Sequence, residues 1–165
     1  MVGNDLNILP LNVNGLNTPK KRGIVITKLK KEKPHVVFLQ EKLKTFGFRQ
    51  SYYSTNKQGR RRGVMILIPN STIFVCEKEI KDKEGRYVLV KGKLENEPVT
   101  LINVYAPPES SKHFFKSLFN LIAREKEGTL ICGGGFNIIM NYSLDTTSLK
   151  GNKKQMSKFV KVSLE

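Results

Sequence analysis

The 165 residues include 29 lysines and arginines against 14 aspartates and glutamates, which gives a formal net charge of +15. A chain of this length is long enough to bury a core, and so large a positive excess favours polyanionic partners through counterion release. No apolar run approaches the ~18 residues of a membrane-spanning helix and the start lacks a signal-peptide pattern, so we expect an intracellular protein, nuclear or cytoplasmic, with no membrane partner.

The beginning of the chain predicts a strand, a helix and a second strand. Residues 6–13 form a buried-strand pattern, although Pro10 cannot donate to a ladder and is typical of edges or bulges. Thr18 and Pro19 have the pattern of an N-cap followed by proline at the first helical position, and the helix should end before Pro34. Residues 35–40 then complete a β-α-β unit with parallel strands.

The middle of the chain predicts antiparallel hairpins. β-Branched and aromatic runs alternate with turn-prone segments, at residues 63–68, 73–76, 87–94 and 99–105. We expect these runs to form one antiparallel meander. Cys76 and Cys132 lie in apolar runs, which predicts reduced core residues, and the lack of partnering histidines argues against a zinc site.

A second helix and a last strand follow. Ser110 or Ser111 can cap the helix, and an apolar stripe with helical spacing predicts its buried face. The stripe consists of Phe115, Leu118, Phe119 and Ile122. Residues 129–132 are predicted to return as a buried strand that breaks into three glycines, as expected where backbone passes close to a ligand or another loop.

Four of the predicted strands carry polar residues at or just after their ends. The relevant positions are Asn12 and Asn14, Gln40 and Glu41, Asn103 and Tyr105, and Asn137 after the glycines. In open α/β sheets, ligands bind beyond the carboxyl ends of the strands. The pattern therefore predicts one polar site to which all four strand ends contribute.

The same residues carry a family resemblance. The motifs at residues 12–17, 39–41, 103–107 and 134–137 occur in the order found in the exonuclease–endonuclease–phosphatase superfamily. More closely, the chain resembles the apurinic-endonuclease-like domain of LINE-type (non-LTR) retrotransposon polyproteins. The resemblance implies an α/β fold, a two-sheet sandwich with helices outside (α-β-β-α layers), formed by residues 1–165 as a single domain.

The resemblance also implies an activity and its residues. The family nicks DNA in a Mg²⁺-dependent reaction that lets target-primed reverse transcription begin, and it uses no small-molecule cofactor. Glu41 would be the metal ligand, and Asn12, Tyr105 and Asn137 would hold the scissile phosphate. Asn14 stands where related repair nucleases often carry a second acid. The family's water-activating aspartate falls on Gly135.

The resemblance further implies that the chain is a degenerate copy, truncated at its C-terminus. The family's Ser-Asp-His motif is not found in this sequence, nor is the reverse transcriptase that normally follows. A positioned general base typically supplies about 10²–10⁴ in rate, so we expect nicking to be strongly impaired or absent. We also expect one sheet to be mostly present and the second to be incomplete, with an apolar face left uncovered.

Basic residues supply the candidate nucleic-acid contacts. Lys20, Lys21 and Arg22 begin the first predicted helix, and Arg60, Arg61 and Arg62 lie in a predicted turn. DNA is the partner that the resemblance implies, and RNA is a second polyanion that the charge would attract. For the lysines, a solvated surface is the alternative to phosphate contact. For the arginines, a solvated turn and a nuclear-import patch are the alternatives, and phosphate contact is favoured because the resemblance would place this loop near DNA.

Three other functions compete with an impaired endonuclease. A non-enzymatic nucleic-acid-binding remnant is favoured by the charge and by Gly135. A phosphatase of the same superfamily, acting on lipids or small molecules, is opposed by the basic composition. A pseudogene product without a role is the last alternative.

Overall fold

The described part of the chain alternates strands with two helices. A computed structural model of the protein describes residues 5–12, 16, 18–40, 48–56 and 63–137. The elements are β1 (Ile8–Leu11), α1 (Pro19–Glu32), β2 (Val36–Leu39), β3 (Gln50–Thr55), β4 (Gly63–Ile68), β5 (Phe74–Lys81), β6 (Tyr87–Leu94), β7 (Glu97–Tyr105), α2 (Lys112–Glu125) and β8 (Thr129–Gly135). Neither of these two helices has the length and apolar composition that a membrane crossing demands.

The first sheet contains the predicted β-α-β unit. Its strand order is β1-β2-β4-β3, and β1 runs parallel to β2. The connecting helix α1 begins as predicted, because the hydroxyl of Thr18 accepts a hydrogen bond from the backbone N–H of Lys21 (3.3 Å). It ends at Lys33 in a left-handed conformation just before Pro34. Within the described residues β1 is an edge strand, a position that tolerates the exposed Pro10.

The second sheet has the order β5-β6-β7-β8. β5, β6 and β7 form an antiparallel meander, and β8 pairs in parallel with β7. The prediction of one meander through residues 63–105 is therefore wrong, because β4 belongs to the first sheet. There β4 pairs with β2 on one side and β3 on the other, so neither of its edges is available to β5.

The two sheets enclose the main core. Apolar side chains from β2 and β4 pack against those of β5, β6 and β7, and they include Val36, Phe38, Val64, Ile66, Phe74, Val88, Val90, Val99 and Leu101. On the other face of the first sheet, Val37, Leu39, Met65 and Leu67 pack with Val25 and Leu29 of α1. The expectation of an uncovered apolar face is wrong for the faces that the two sheets turn toward each other, because their side chains pack in one buried cluster. Each sheet has four strands among the described residues.

Helix α2 belongs to a second compact unit, formed by Ala106–Lys126 together with Phe136 and Asn137. The hydroxyl of Ser111 caps the helix by accepting a hydrogen bond from the N–H of Phe114 (3.2 Å). The predicted stripe is only partly right: Phe115 and Leu118 are buried, but Phe119 and Ile122 are only half-buried, and Phe114 and Leu121 complete the buried face.

The two cysteines differ from their prediction. Cys76 and Cys132 are both exposed. Cys76 lies on the edge strand β5, beside a bulge between Cys76 and Lys78, and the side chains of this strand are mostly solvent-accessible. An apolar run in the sequence therefore did not imply burial here, on a strand that lies at a sheet edge within the described residues.

Candidate active site

The carboxyl ends of four strands meet at one edge of the two sheets. The backbone N–H of Gln40 donates to the carbonyl of Leu11 (3.3 Å), which joins the ends of β1 and β2. The side-chain amide of Asn103 on β7 donates to the carbonyl of Leu39 (2.8 Å), which joins the two sheets. A Cβ on Gly135, at the end of β8, would lie 3.0 Å from Nε2 of Gln40. We call this surface the strand-end edge, formed by Asn12, Gln40, Tyr105 and Gly135.

The predicted site residues are distributed as follows. Asn12 is exposed and directly follows β1, and Tyr105 is half-buried at the end of β7. Asn137 belongs to the second unit, has a positive φ of 48° and donates its side-chain amide to the carbonyl of Ala106 (2.8 Å). Asn14 and Glu41 lie outside the described residues.

Tyr105 is held by the turn between β5 and β6. Its backbone N–H donates to the carbonyl of Arg86 (2.6 Å), and its ring packs against the core between the sheets. The guanidinium of Arg86 donates two hydrogen bonds to the carboxylate of Asp82 (2.8 and 3.1 Å). This hydrogen-bonded pair raises the pKa of Arg86 above its ordinary value. The turn thus positions Tyr105 through its backbone.

The three glycines of β8 face different surroundings. A Cβ on Gly133 would come within 2.5 Å of the Phe38 ring, so the close approach of the two sheets excludes a side chain there. Gly134 has a φ of 107°, and a Cβ on it would collide with the carbonyl of Val104. Gly135 meets only the end of the flexible Gln40 side chain. Of the three, position 135 is therefore the one that could carry a side chain.

Gln40 and Asn103 are two polar residues that sequence analysis placed at strand ends but whose contacts it did not foresee. Gln40 was treated only as the neighbour of Glu41, yet its amide lies beside position 135. Asn103 is completely buried, and its side-chain amide donates to the carbonyls of both Leu39 and Met65. A polar residue inside an otherwise apolar strand was the available signal for Asn103.

The described side chains do not by themselves fit a magnesium ion. Within residues 5–12, 16, 18–40, 48–56 and 63–137, no group of three or more His, Cys, Asp or Glu could hold a metal. The strand-end edge offers amide and phenol groups, whereas Mg²⁺ prefers one or two carboxylates with water and phosphate oxygens. Glu41, the carboxylate assigned by resemblance, lies outside the described residues.

Of the predicted nucleic-acid-binding residues, only those on α1 lie among the described residues. Lys20 and Lys21 are exposed and Arg22 is half-buried, all within the first turns of the helix. Further along, Lys28, Lys30 and Lys31 are exposed as well. Arg60, Arg61 and Arg62 are not among the described residues.

The fold resembles that of several nucleases of known structure. The endonuclease domain of TRAS1, a telomere-specific non-LTR retrotransposon, superimposes with a TM-score of 0.70 at 14% identity over 95% of this chain and 70% of that domain. An AP endonuclease from Archaeoglobus fulgidus superimposes with a TM-score of 0.68 at 24% identity over 96% of this chain and 70% of that enzyme.

TDP2 structures are similar too. For D. rerio TDP2 complexed with a single-strand DNA product, the TM-score is 0.64 at 17% identity, over 81% of this chain and 61% of that protein. The chain spans 63% of a humanized D. rerio TDP2 and 51% of a Caenorhabditis elegans TDP2. At these identities, the likeness establishes the fold alone.

The sequence itself matches a family model. The model for the endonuclease/exonuclease/phosphatase family matches residues 11–152, which include the described strand ends and both helices. The superfamily resemblance drawn from four short motifs is therefore confirmed by a match over most of the chain. By this match and by its two-sheet fold, the chain belongs to the endonuclease/exonuclease/phosphatase family.

Proposed function

We propose that the chain is a LINE-type endonuclease-like domain that binds nucleic acid and in which hydrolysis of the phosphodiester bond is strongly impaired. A neighbour in fold, TRAS1, is a non-LTR retrotransposon endonuclease, and another is an AP endonuclease. Asn12 and Tyr105 at the strand-end edge can donate neutral hydrogen bonds to a phosphate. Glu41 is the residue we propose for Mg²⁺, with weak binding expected from a single carboxylate.

One observation carries the proposed loss of activity. The family's water-activating aspartate corresponds to Gly135, which has no side chain and lies beside the amide of Gln40. A carboxamide is not a base, so Gln40 cannot accept the proton of an attacking water in place of the aspartate. Losing a positioned general base costs about 10²–10⁴ in rate.

The start of α1 supports nucleic-acid binding as a function in its own right. No acidic residue lies in its first turn, and Lys20 and Lys21 stand next to the positive end of the helix dipole. Cations there destabilise a helix by roughly 0.3–1 kcal/mol each. The helix dipole therefore does not favour these lysines, whereas contact with a phosphate backbone would. TDP2 from D. rerio, of similar fold, is known in complex with single-strand DNA.

Binding can be tested with fluorescein-labelled duplex and single-stranded DNA of mixed sequence, measured by fluorescence anisotropy across a salt series. We expect both probes to bind, with affinity falling steeply as salt rises and with little dependence on sequence. A single-stranded RNA of the same sequence tests the second polyanion. Affinity that does not change with salt would contradict binding through these exposed cations.

A further inference from the structure

Asn103 occupies an unusual position for an amide. Its side chain is completely buried on β7, inside the second sheet, yet both of its hydrogen bonds reach into the first sheet. Nδ2 donates to the carbonyl of Leu39 and to the carbonyl of Met65, each at 2.8 Å. Because two carbonyls can only accept, the orientation of this amide is fixed.

The two acceptors lie at the end of the first sheet that carries the family motifs. Leu39 is the last residue of β2 and pairs with Met65 on β4. The next residue, Gln40, donates its backbone N–H to Leu11 at the end of β1. One amide thus ties β7 to the end of β2 and to Met65 of β4, and through Gln40 to β1.

The other side of the Asn103 amide faces β8. Oδ1 is buried and has no hydrogen-bond partner among the described residues. A Cβ on Gly134 would lie 2.8 Å from this oxygen. The glycine therefore leaves room for Asn103, and the amide lies between the Gln40 end of the first sheet and the glycines of β8.

We propose that Asn103 is a positioning residue that sets the distance between the two halves of the strand-end edge. One half, in the first sheet, carries Asn12 and Gln40, and the other half, in the second sheet, carries Tyr105 and Gly135. This role rests on the proposed function, because the edge is where the nucleic-acid backbone is expected to bind. An ordinary buried polar residue would stabilise the whole fold without a particular effect on this edge.

Two variants of Asn103 and one matched control separate these roles. Asn103→Leu removes both donors at similar volume, and Asn103→Asp replaces the donor with a carboxylate. Thr100 is the control, since it is also completely buried on β7 and also makes two hydrogen bonds, both to the backbone of Glu127 (2.8 and 2.9 Å). Thr100→Val removes those bonds near the opposite end of the strand, far in register from Tyr105.

Hydrogen exchange by NMR at the backbone N–H of Gln40 is the deciding readout. We expect both Asn103→Leu and Thr100→Val to lower the melting temperature, because each leaves buried backbone groups without a partner. Only Asn103→Leu should speed exchange at Gln40, by about tenfold relative to Thr100→Val. The DNA affinity of Asn103→Leu should fall at the same time, while that of Thr100→Val stays unchanged.

The Asn103→Asp variant adds a pH signature. Burial beside two carbonyls raises the pKa of the new carboxyl above its unfolded value of about 3.9. When protonated it can donate one hydrogen bond, and when ionised it repels both carbonyls. Protection at Gln40 should therefore be largest below the unfolded pKa and be lost as pH rises through the folded pKa. Wild type and Thr100→Val should not show this profile.

Equal exchange at Gln40 in Asn103→Leu and Thr100→Val would overturn the proposal, as would protection in Asn103→Asp that is independent of pH. The exchange measurement needs no ligand, so it decides the role of Asn103 even if wild type binds no DNA. Wild-type protein that fails to bind DNA, while exchange responds as expected, would contradict the proposed function and leave the positioning role standing.

Discussion

At the residue scale, the three glycines of β8 differ in whether the fold requires a glycine at that position. Gly133 and Gly134 are required by the fold, the first by the Phe38 ring and the second by its positive φ and the Val104 carbonyl. Gly135 is not required in this sense, because its neighbour is a flexible side chain end. The backbone therefore does not require a glycine at position 135, where the resemblance places the family's aspartate.

We predict that Gly135→Asp folds and that Gly134→Ala does not fold well. A Cβ at position 135 requires the Gln40 side chain to shift by only a few tenths of an ångström. The free energy of unfolding of the aspartate variant should therefore change by less than about 1 kcal/mol. In the alanine variant the positive φ and the clash should cost about 2 kcal/mol or more. Urea unfolding of both variants checks this, and equal destabilisation would contradict the account of position 135.

We further predict that Gly135→Asp restores little nicking by itself. Residues that act as a unit in catalysis are strongly non-additive, so returning one member recovers little of the rate. The measurement is Mg²⁺-dependent relaxation of supercoiled plasmid by the variant and by wild type. Nicking by the variant, abolished again by adding Glu41→Ala, would show that the aspartate is the decisive loss.

At the element scale, α1 has one face that packs on the first sheet and another that carries the proposed binding residues. Val25 and Leu29 pack on the first sheet, and the opposite side is lined by lysines. The basic residues at its start oppose the helix dipole, so removing them should not weaken the helix. This separation allows binding to be changed without a loss of folding.

We predict that replacing Lys20, Lys21 and Arg22 with alanine weakens DNA binding about equally for all sequences. The slope of log affinity against log salt should fall by up to roughly two to three, because each phosphate contact contributes about 0.9. The matched control replaces Lys112, Lys116 and Lys126, which are also exposed and change the net charge by the same amount. Equal loss in both triple variants would mean that overall charge, and not this helix face, governs binding.

Prediction from sequence succeeded where the signal is local. Thr18, Pro19 and Pro34 delimit α1 because capping and proline geometry act within a few residues. It failed for β4 and β5, since strand patterns do not reveal in which sheet a strand pairs.

The candidate site was foreseen only in part. Polar residues after strands predicted the edge that carries Asn12 and Tyr105. The contacts made by Gln40 and Asn103 depend on how the sheets face each other, which no local pattern encodes.

At the scale of the whole molecule, the closed core between the sheets decides stability. Phe38 and Ile66 of the first sheet face Val90 and Leu101 of the second, and all four are buried. We therefore predict a cooperative thermal transition when unfolding is followed by far-UV and near-UV circular dichroism, with coincident curves. Phe38→Ala should destabilise the protein by about 3–5 kcal/mol, a large share of the ~5–15 kcal/mol typical of a domain. A broad transition that differs between the two probes would contradict a packed core.

One electrophoretic experiment tests both parts of the proposed function, binding of DNA and strongly impaired cleavage. Supercoiled plasmid is incubated with excess protein and Mg²⁺ at low salt, and each sample is loaded before and after removal of the protein. We predict retarded migration before removal and intact supercoiled plasmid afterwards, in wild type and in Glu41→Ala alike. Nicked circles in the wild-type lane, absent with a chelator and absent for Glu41→Ala, would contradict the account.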